Sequence, residues 1–247
     1  MQPTLARDGF MICDYDPRVA AWAAAALDVA KGVAADPAMR DTWLRHGGTW
    51  FVGVDALPND DDGAVGGVPF AGPWDVPAPG VWHRAQLSVV YPGYPRQDAG
   101  DTDAAHRFRV NRSAAHVDGL LLEGGRRFAR EPHAFILGLP LNDSAACPLV
   151  VWRGSHLAMR AALAACIGDR DPRVVDVTDT YKAARAEAFA DCAAVEIVAR
   201  PGQAVLVDRH AVHGVASWRN GMQVPDEGRM IAYFRPLCAD PMDWLRG

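Results

Sequence analysis

The chain has 247 residues, half of them hydrophobic and 22% charged, with a formal net charge of −5. That composition belongs to a folded globular protein with a sizeable core, and without a long basic stripe it argues against nucleic-acid binding. No apolar run reaches the roughly 18 residues of a membrane span, and the opening MQPTLARDGF lacks a signal peptide's basic-then-apolar pattern. The five cysteines are scattered without a CxxC pair, so reduced thiols and a cytoplasmic location are expected. Lysine occurs only at positions 31 and 182, so 23 of the 25 basic residues are arginine, which lowers the information any one arginine carries.

In chain order, Asp8-Gly9 is a turn pair and Phe10 to Cys13 a short strand. Asp16-Pro17 starts a helix over Arg18 to about Ala34, with Val19, Trp22, Ala26, Val29 and Val33 near one face. Asp36-Pro37 starts a second, shorter helix ending near His46-Gly47-Gly48. From Leu57 to Gly80 the chain is rich in Asp, Gly and Pro, which predicts a mobile lid or an ordered loop pinned by Phe70 and Trp74. Strands are expected at Trp82–Tyr91, Arg107–Asn111, through Ala114–Leu121, His133–Leu141 and Pro148–Trp152. Helices follow at Ser155–Ile167 and Asp179–Ala190, then strands at Ala193–Ala199, Ala204–Asp208, Ala211–Val215 and Arg229–Arg235. Strands without βα alternation argue against a parallel α/β fold. The expected class is mainly β with flanking helices (α+β), a double-stranded β-helix or jelly-roll, cupin-like barrel. One domain over 1–247 is expected, with N-terminal helices at 17–46 and the barrel at about 80–237.

The candidate chemistry centres on Ala114 to Leu121, AAHVDGLL. On a strand, His116 and Asp118 would project from the same face. A non-haem iron(II) site takes two histidines and one carboxylate on one face and leaves the other open. HxD alone is a weak signal, and a satisfied histidine beside a surface aspartate accounts for it as readily. The segment from Pro201 to Gly214, PGQAVLVDRHAVHG, adds His210 and His213. Arg229 opens the next strand, from which a guanidinium could hold a carboxylate in bidentate fashion.

With these segments in order, the sequence resembles the phytanoyl-CoA dioxygenase family of iron(II)- and 2-oxoglutarate-dependent oxygenases. The resemblance is carried by His116-Val117-Asp118, by Pro148 through Gly154-Ser155-His156, by Gly202 through His213-Gly214, and by Arg229. It implies that His116, Asp118 and His213 ligate iron(II), His213 being the histidine that precedes a glycine. It also implies that Arg229 holds the far carboxylate of 2-oxoglutarate, with dioxygen as the third reactant. Gln86 and Ser217 are further candidates for contact with the co-substrate. Arg153 replaces the family's proline before Gly-Ser-His, and part of Asn220 to Gly228 looks inserted. Retention of Asp118 points to hydroxylation rather than halogenation. Ser155 is expected to cap the helix that follows, and His210 to lie behind the ligands. The partner expected is a small-molecule substrate, and the oligomeric state is left open. Arg107, Arg109, Arg112, Arg126, Arg127 and Arg130 would suit an anionic substrate, although a solvated face explains them in a chain so biased to arginine. Two other functions stay open: a non-catalytic cupin-like barrel that binds a small acid, and a cupin metalloenzyme independent of 2-oxoglutarate.

Overall fold

The first turn, α1 (Leu5–Asp8), passes through Gly9 in the left-handed region (φ 78°) into strand β1 (Phe10–Cys13). The structure is a computed structural model and describes residues 4–76 and 79–246. Helix α2 (Pro17–Ala35) is capped by Asp16, whose side chain accepts from the Arg18 amide, with Pro17 in the first turn where its missing N–H costs nothing. Asp36-Pro37 repeats the device for α3 (Pro37–Trp43), which leads into β2 (Leu44–Arg45) and β3 (Trp50–Gly53). Then come β4 (Gln86–Val90), α4 (Asp103–Arg112), β5 (Leu120–Glu123), β6 (Arg126–Ala129), β7 (Ile136–Pro140), β8 (Leu149–Trp152), α5 (Ser155–Ile167) and α6 (Thr178–Asp191). The chain continues with β9 (Ala194–Ile197), β10 (Ala204–Val207), β11 (His213–Val215) and β12 (Arg229–Phe234).

The strands form a seven-stranded sheet in the order β1-β10-β7-β12-β4-β3-β2, a three-stranded sheet β11-β8-β9, and the separate hairpin β5-β6. Every pairing in them is antiparallel. Period-two alternation sorts the side chains. On β12, Met230, Ala232 and Phe234 pack with Leu87, Leu137, Leu139 and Leu206 beneath Trp22, Ala26 and Ala30 of α2. The alternate residues turn toward the smaller sheet, where Ile136, Val205 and Val207 meet Leu149, Val151 and Ile197, with Tyr233 against them. On the outer face of that sheet, Val150 and Trp152 pack with Met159, Leu163 and Tyr181 of α5 and α6. The layers are therefore α2, large sheet, small sheet, and α5 with α6.

The mainly β architecture with flanking helices agrees with the sequence. No closed barrel forms among the described residues: the two sheets meet through side chains, and their edges stay unjoined. Two strand expectations are corrected. Residues 107–111 lie inside α4, because Thr102 accepts from the Ala105 amide and caps a helix there; a five-residue alternation is too short to exclude one. The stretch 114–121 is not a strand. His116 makes one isolated bridge, 118–119 is a turn, and β5 begins only at Leu120. Of the two alternatives for the loop after Leu57, the pinned one is found: the Phe70 ring lies 5.1 Å from Trp22 and Trp74, 4.9 Å from Trp82 and 4.7 Å from Phe234. Its positions 77 and 78 lie outside the described residues.

Candidate metal centre

Two chain segments bring the three expected ligands together. Strand β11 pairs with β8, His213 opposite Val151, and is held at its start by Ser155 Oγ, which accepts from the Val212 amide at 2.9 Å. Ser155 therefore ties α5 to the site and does not cap its helix; the N-cap is Gly154. His116 bridges His213 through both backbone bonds, His116 N to His213 O at 2.8 Å and His213 N to His116 O at 3.0 Å. This close approach needs Gly214, where a Cβ would stand 2.0 Å from the Ser113 carbonyl oxygen. Asp118 is turned back by Gly119 (φ 79°), where a Cβ would stand 1.9 Å from Glu131 O.

Asp118 Oδ1 lies 3.0 Å from His116 Nε2 and 3.9 Å from His213 Nε2. Each imidazole spends Nδ1 on the carbonyl two residues before it, Ala114 O at 3.0 Å and Ala211 O at 2.9 Å. A carbonyl only accepts, so both Nδ1 atoms carry hydrogen and both Nε2 atoms face the carboxylate, the arrangement that second-shell bonds impose on metal-ligating histidines. His116 is half-exposed, while Asp118 and His213 are nearly buried, so the cluster opens on the His116 side. Burial works to raise the Asp118 carboxyl, but the His116 hydrogen bond and the charges of His213, His116 and Arg235 hold it well below the usual range. Burial likewise pulls His116 down, yet Asp118 prevails and leaves it raised. His213 is lowered, chiefly by burial. One potential ligand atom from each residue lies within 4.8 Å of the others. In a second such group, His46, Asp98 and Asp101, both carboxylates are already engaged: Asp98 takes the His46 and Gly47 amides, and Asp101 takes both Arg109 Nη atoms at 2.7 Å.

The expected co-substrate residues fall in three places. Arg229 is buried, 5% exposed, and lines a small cavity of about 20 Å³ between the sheets with Gly138, Leu149, Val205 and Tyr233. Its Nη2 donates to Cys147 O at 2.8 Å, its Nε has no hydrogen-bond partner, and no carboxylate among the described residues pairs with it. Ser217 Oγ donates to Val110 O at 3.0 Å and so is spent on α4. Gln86 reaches the cluster of His116, Asp118 and His213 through an intermediary. Its Oε1 accepts from Arg235 Nη2 at 2.6 Å, and Arg235 Nη1 lies 3.5 Å from Asp118 Oδ2.

Arg235 was not anticipated. The signal for it was parity: 229, 231, 233 and 235 fall on one face of β12 and its extension. Most of the arginines near the HxD segment are engaged elsewhere. Arg130 pairs with Glu123 at 2.6 Å and Arg126 with Asp176 at 3.6 Å, and Arg112 and Arg127 lie over Phe189 and Tyr181. Arg153 turns to Asp8 at 3.7 Å. His210 is buried with its ring 4.6 Å from Trp244, and burial holds it well below the ordinary histidine value.

Among the described residues, no helix is long and apolar enough to cross a membrane. No protein-family model matches the chain, and no curated protein does. Among solved structures, EctD from S. alaskensis with bound Fe aligns over 93% of this chain and 73% of its own, at 16% identity and a TM-score of 0.45. AviO1 from Streptomyces viridochromogenes Tue57 aligns over 96% and 93%, at 16% identity and 0.39. The non-heme alpha ketoglutarate dependent carbocyclase SnoK, from nogalamycin biosynthesis, aligns over 63% and 52%, at 17% identity and 0.33. At 16–17% identity and TM-scores below 0.5, these alignments carry no argument about what this chain does.

Proposed function

We propose that the protein is a non-haem iron(II)- and 2-oxoglutarate-dependent oxygenase of phytanoyl-CoA dioxygenase type, built on a jelly-roll core, that hydroxylates a small molecule. The donor set suits the metal: two imidazoles presenting Nε2 and one carboxylate are nitrogen and oxygen ligands of the kind ferrous iron takes. The observation that carries the reading beyond a metal site is Arg229. A guanidinium buried without a counter-ion is costly, and this one faces the inter-sheet cavity from the strand whose extension reaches Asp118. The far carboxylate of 2-oxoglutarate would relieve that cost by accepting from Nε and Nη2.

When bound, iron(II) with 2-oxoglutarate and dioxygen supplies the oxidising power that converts a substrate C–H bond to C–OH. The chain's own part is placement. His116 and His213 are held in one tautomer and one orientation by Ala114 O and Ala211 O. Arg235, tethered by Gln86, faces Oδ2 of Asp118 and leaves Oδ1 toward the histidines. Leu149, Val205, Val207 and Ile231 make the wall of the cavity apolar.

Anaerobic titration with iron(II) and 2-oxoglutarate should develop a metal-to-ligand charge-transfer band in the visible. Absence of the band, or its survival in His116→Ala, defeats the proposal. Arg229→Gln should raise the 2-oxoglutarate concentration needed by roughly 10- to 100-fold, the worth of a charge-assisted hydrogen bond of about 1.5–3 kcal/mol. A metalloenzyme independent of 2-oxoglutarate would be indifferent to that change. A barrel that merely binds a small acid would take 2-oxoglutarate without coupling oxygen consumption to succinate.

A further inference from the structure

An open cleft of about 940 Å³ adjoins the His116, Asp118 and His213 cluster through Arg235. Val81, His83, Glu131, His133, Arg235 and Leu237 line it, His133 and Leu237 being joined by a β-bridge. It reaches the cluster through two contacts: Arg235 lies 3.5 Å from Asp118, and the Glu131 amide donates to the carbonyl of Gly119, the residue after Asp118.

Buried polar atoms without partners concentrate here. His133 is 5% exposed, neither ring nitrogen has a hydrogen-bond partner, and its nearest charge is Glu131 Oε2, 3.5 Å from Nε2. Arg235 Nε is buried and unpartnered as well. Three of the nine such atoms among the described residues thus belong to two residues of one cleft. Folded proteins leave few of these groups unsatisfied, and they tend to mark ligand or water positions.

Charge specifies the ligand further. Without a metal, Asp118 and Arg235 balance each other. On the oxygenase reading, iron(II) brings two positive charges and Arg229 and Arg235 one each. Asp118 supplies one negative charge and 2-oxoglutarate two. One positive charge is left over, and Arg235 is where it sits once the metal takes Asp118. Glu131 lines the same cleft and its carboxylate feels Arg235, but it is half-exposed, lies closest to His133 and makes no ion pair with Arg235, so the guanidinium keeps room for a direct partner. The guanidinium still has an edge to offer, because Gln86 engages Nη2, Asp118 faces Nη1, and Nε is unused. The rest of the cleft includes exposed apolar side chains, Val54, Val81 and Leu237 at 38%, 57% and 57% exposure.

We propose, on top of the oxygenase reading, that this cleft is the substrate chamber and that it selects a monocarboxylate with an apolar body, the acid group received by Arg235 beside His133. A planar carboxylate matches the guanidinium fork, and a single charge neutralises the remainder. The hydrocarbon part lies along Val54, Val81 and Leu237.

The test uses full-length protein loaded anaerobically with iron(II) and saturating 2-oxoglutarate. The probes are hexanoate and phenylacetate, each against its neutral amide, hexanamide and phenylacetamide. Binding is read from the perturbation of the charge-transfer band and from the melting temperature. The acids should bind at least roughly tenfold more tightly than the amides, the scale of one charge-assisted hydrogen bond. Arg235→Gln should abolish that preference, and Arg235→Lys, which keeps a charge beside Asp118, should restore part of it. If the band forms but acid and amide bind alike, or if the preference survives in both variants, the chamber assignment is wrong while the oxygenase reading stands. If the band never forms in the unmodified protein, the oxygenase reading fails and this proposal fails with it.

Discussion

Gly214 and Ser217 illustrate how far a residue's role departs from its rank in a motif. Gly214 touches no ligand, yet its missing Cβ lets the Ser113 carbonyl come close enough for His116 and His213 to bridge. Gly214→Ala should therefore cost metal affinity by more than about tenfold, on the scale of an outer-shell change; manganese(II) titration of the apoprotein checks this. Ser217 is a nearby candidate for contact with 2-oxoglutarate, but its hydroxyl is committed to Val110 O. Ser217→Ala should leave the 2-oxoglutarate requirement within about twofold, inside the usual small range of exposed substitutions. A tenfold rise would show that the hydroxyl turns inward when co-substrate binds. The two histidines were legible as candidate ligands because HxD and His-Gly are local patterns. Arg235 was not, since nothing in its neighbours announces that it meets Gln86, 149 positions away, and Asp118, 117 away.

Strand β12 divides its labour by parity. Its even positions, Met230, Ala232 and Phe234, complete the core beneath α2, while Arg229, Ile231 and Tyr233 wall the inter-sheet cavity. Helix α5 contributes differently: Ser155 accepts the Val212 amide just before His213, a bond that links a helix N-terminus to the ligand strand. Ser155→Ala leaves that buried amide without an acceptor, at a cost of about 1–3 kcal/mol. The melting temperature should fall by several degrees at roughly 2–4 °C per kcal/mol for a chain of this size. Val or Cys at 155 should do no better, since what is lost is an acceptor and not volume. Both α2 and α5 were legible in their positions, from Asp-Pro and Gly-Ser starts and apolar spacing. The hairpin β5-β6 was not, because its Gly124-Gly125 turn sits among arginines that read as a solvated face.

The N-terminal turn is bound into the whole molecule by Asp8, which is buried although charged. Its carboxylate accepts from the Thr4 amide and from Arg7, its carbonyl accepts from the Gly154 amide, and Arg153 stands 3.7 Å away. The Arg7 hydrogen bonds are the largest cause that brings its pKa down from 3.8 to about 2. A carboxyl depressed on folding stabilises the native state above its unfolded value and loses that contribution as the pH falls through its folded one. The stability gap between the natural protein and Asp8→Asn should hold steady above about pH 5 and close between about pH 4 and 2. Denaturant unfolding across that range measures it, and a gap independent of pH would refute the assignment.

The sequence by itself determined the element types of the core, the helix starts at Asp16-Pro17 and Asp36-Pro37, and the identity of the candidate ligands. Those are set by interactions between residues close in the chain: caps, alternation and short motifs. Tertiary structure decided that 114–121 is a bridge and turn, not a strand, that Ser155 serves His213's strand, and that Arg235 reaches Asp118. Each of these depends on pairing across a hundred residues or on a close approach that only a glycine permits. Such terms are absent from local propensity and appear once the two sheets face each other.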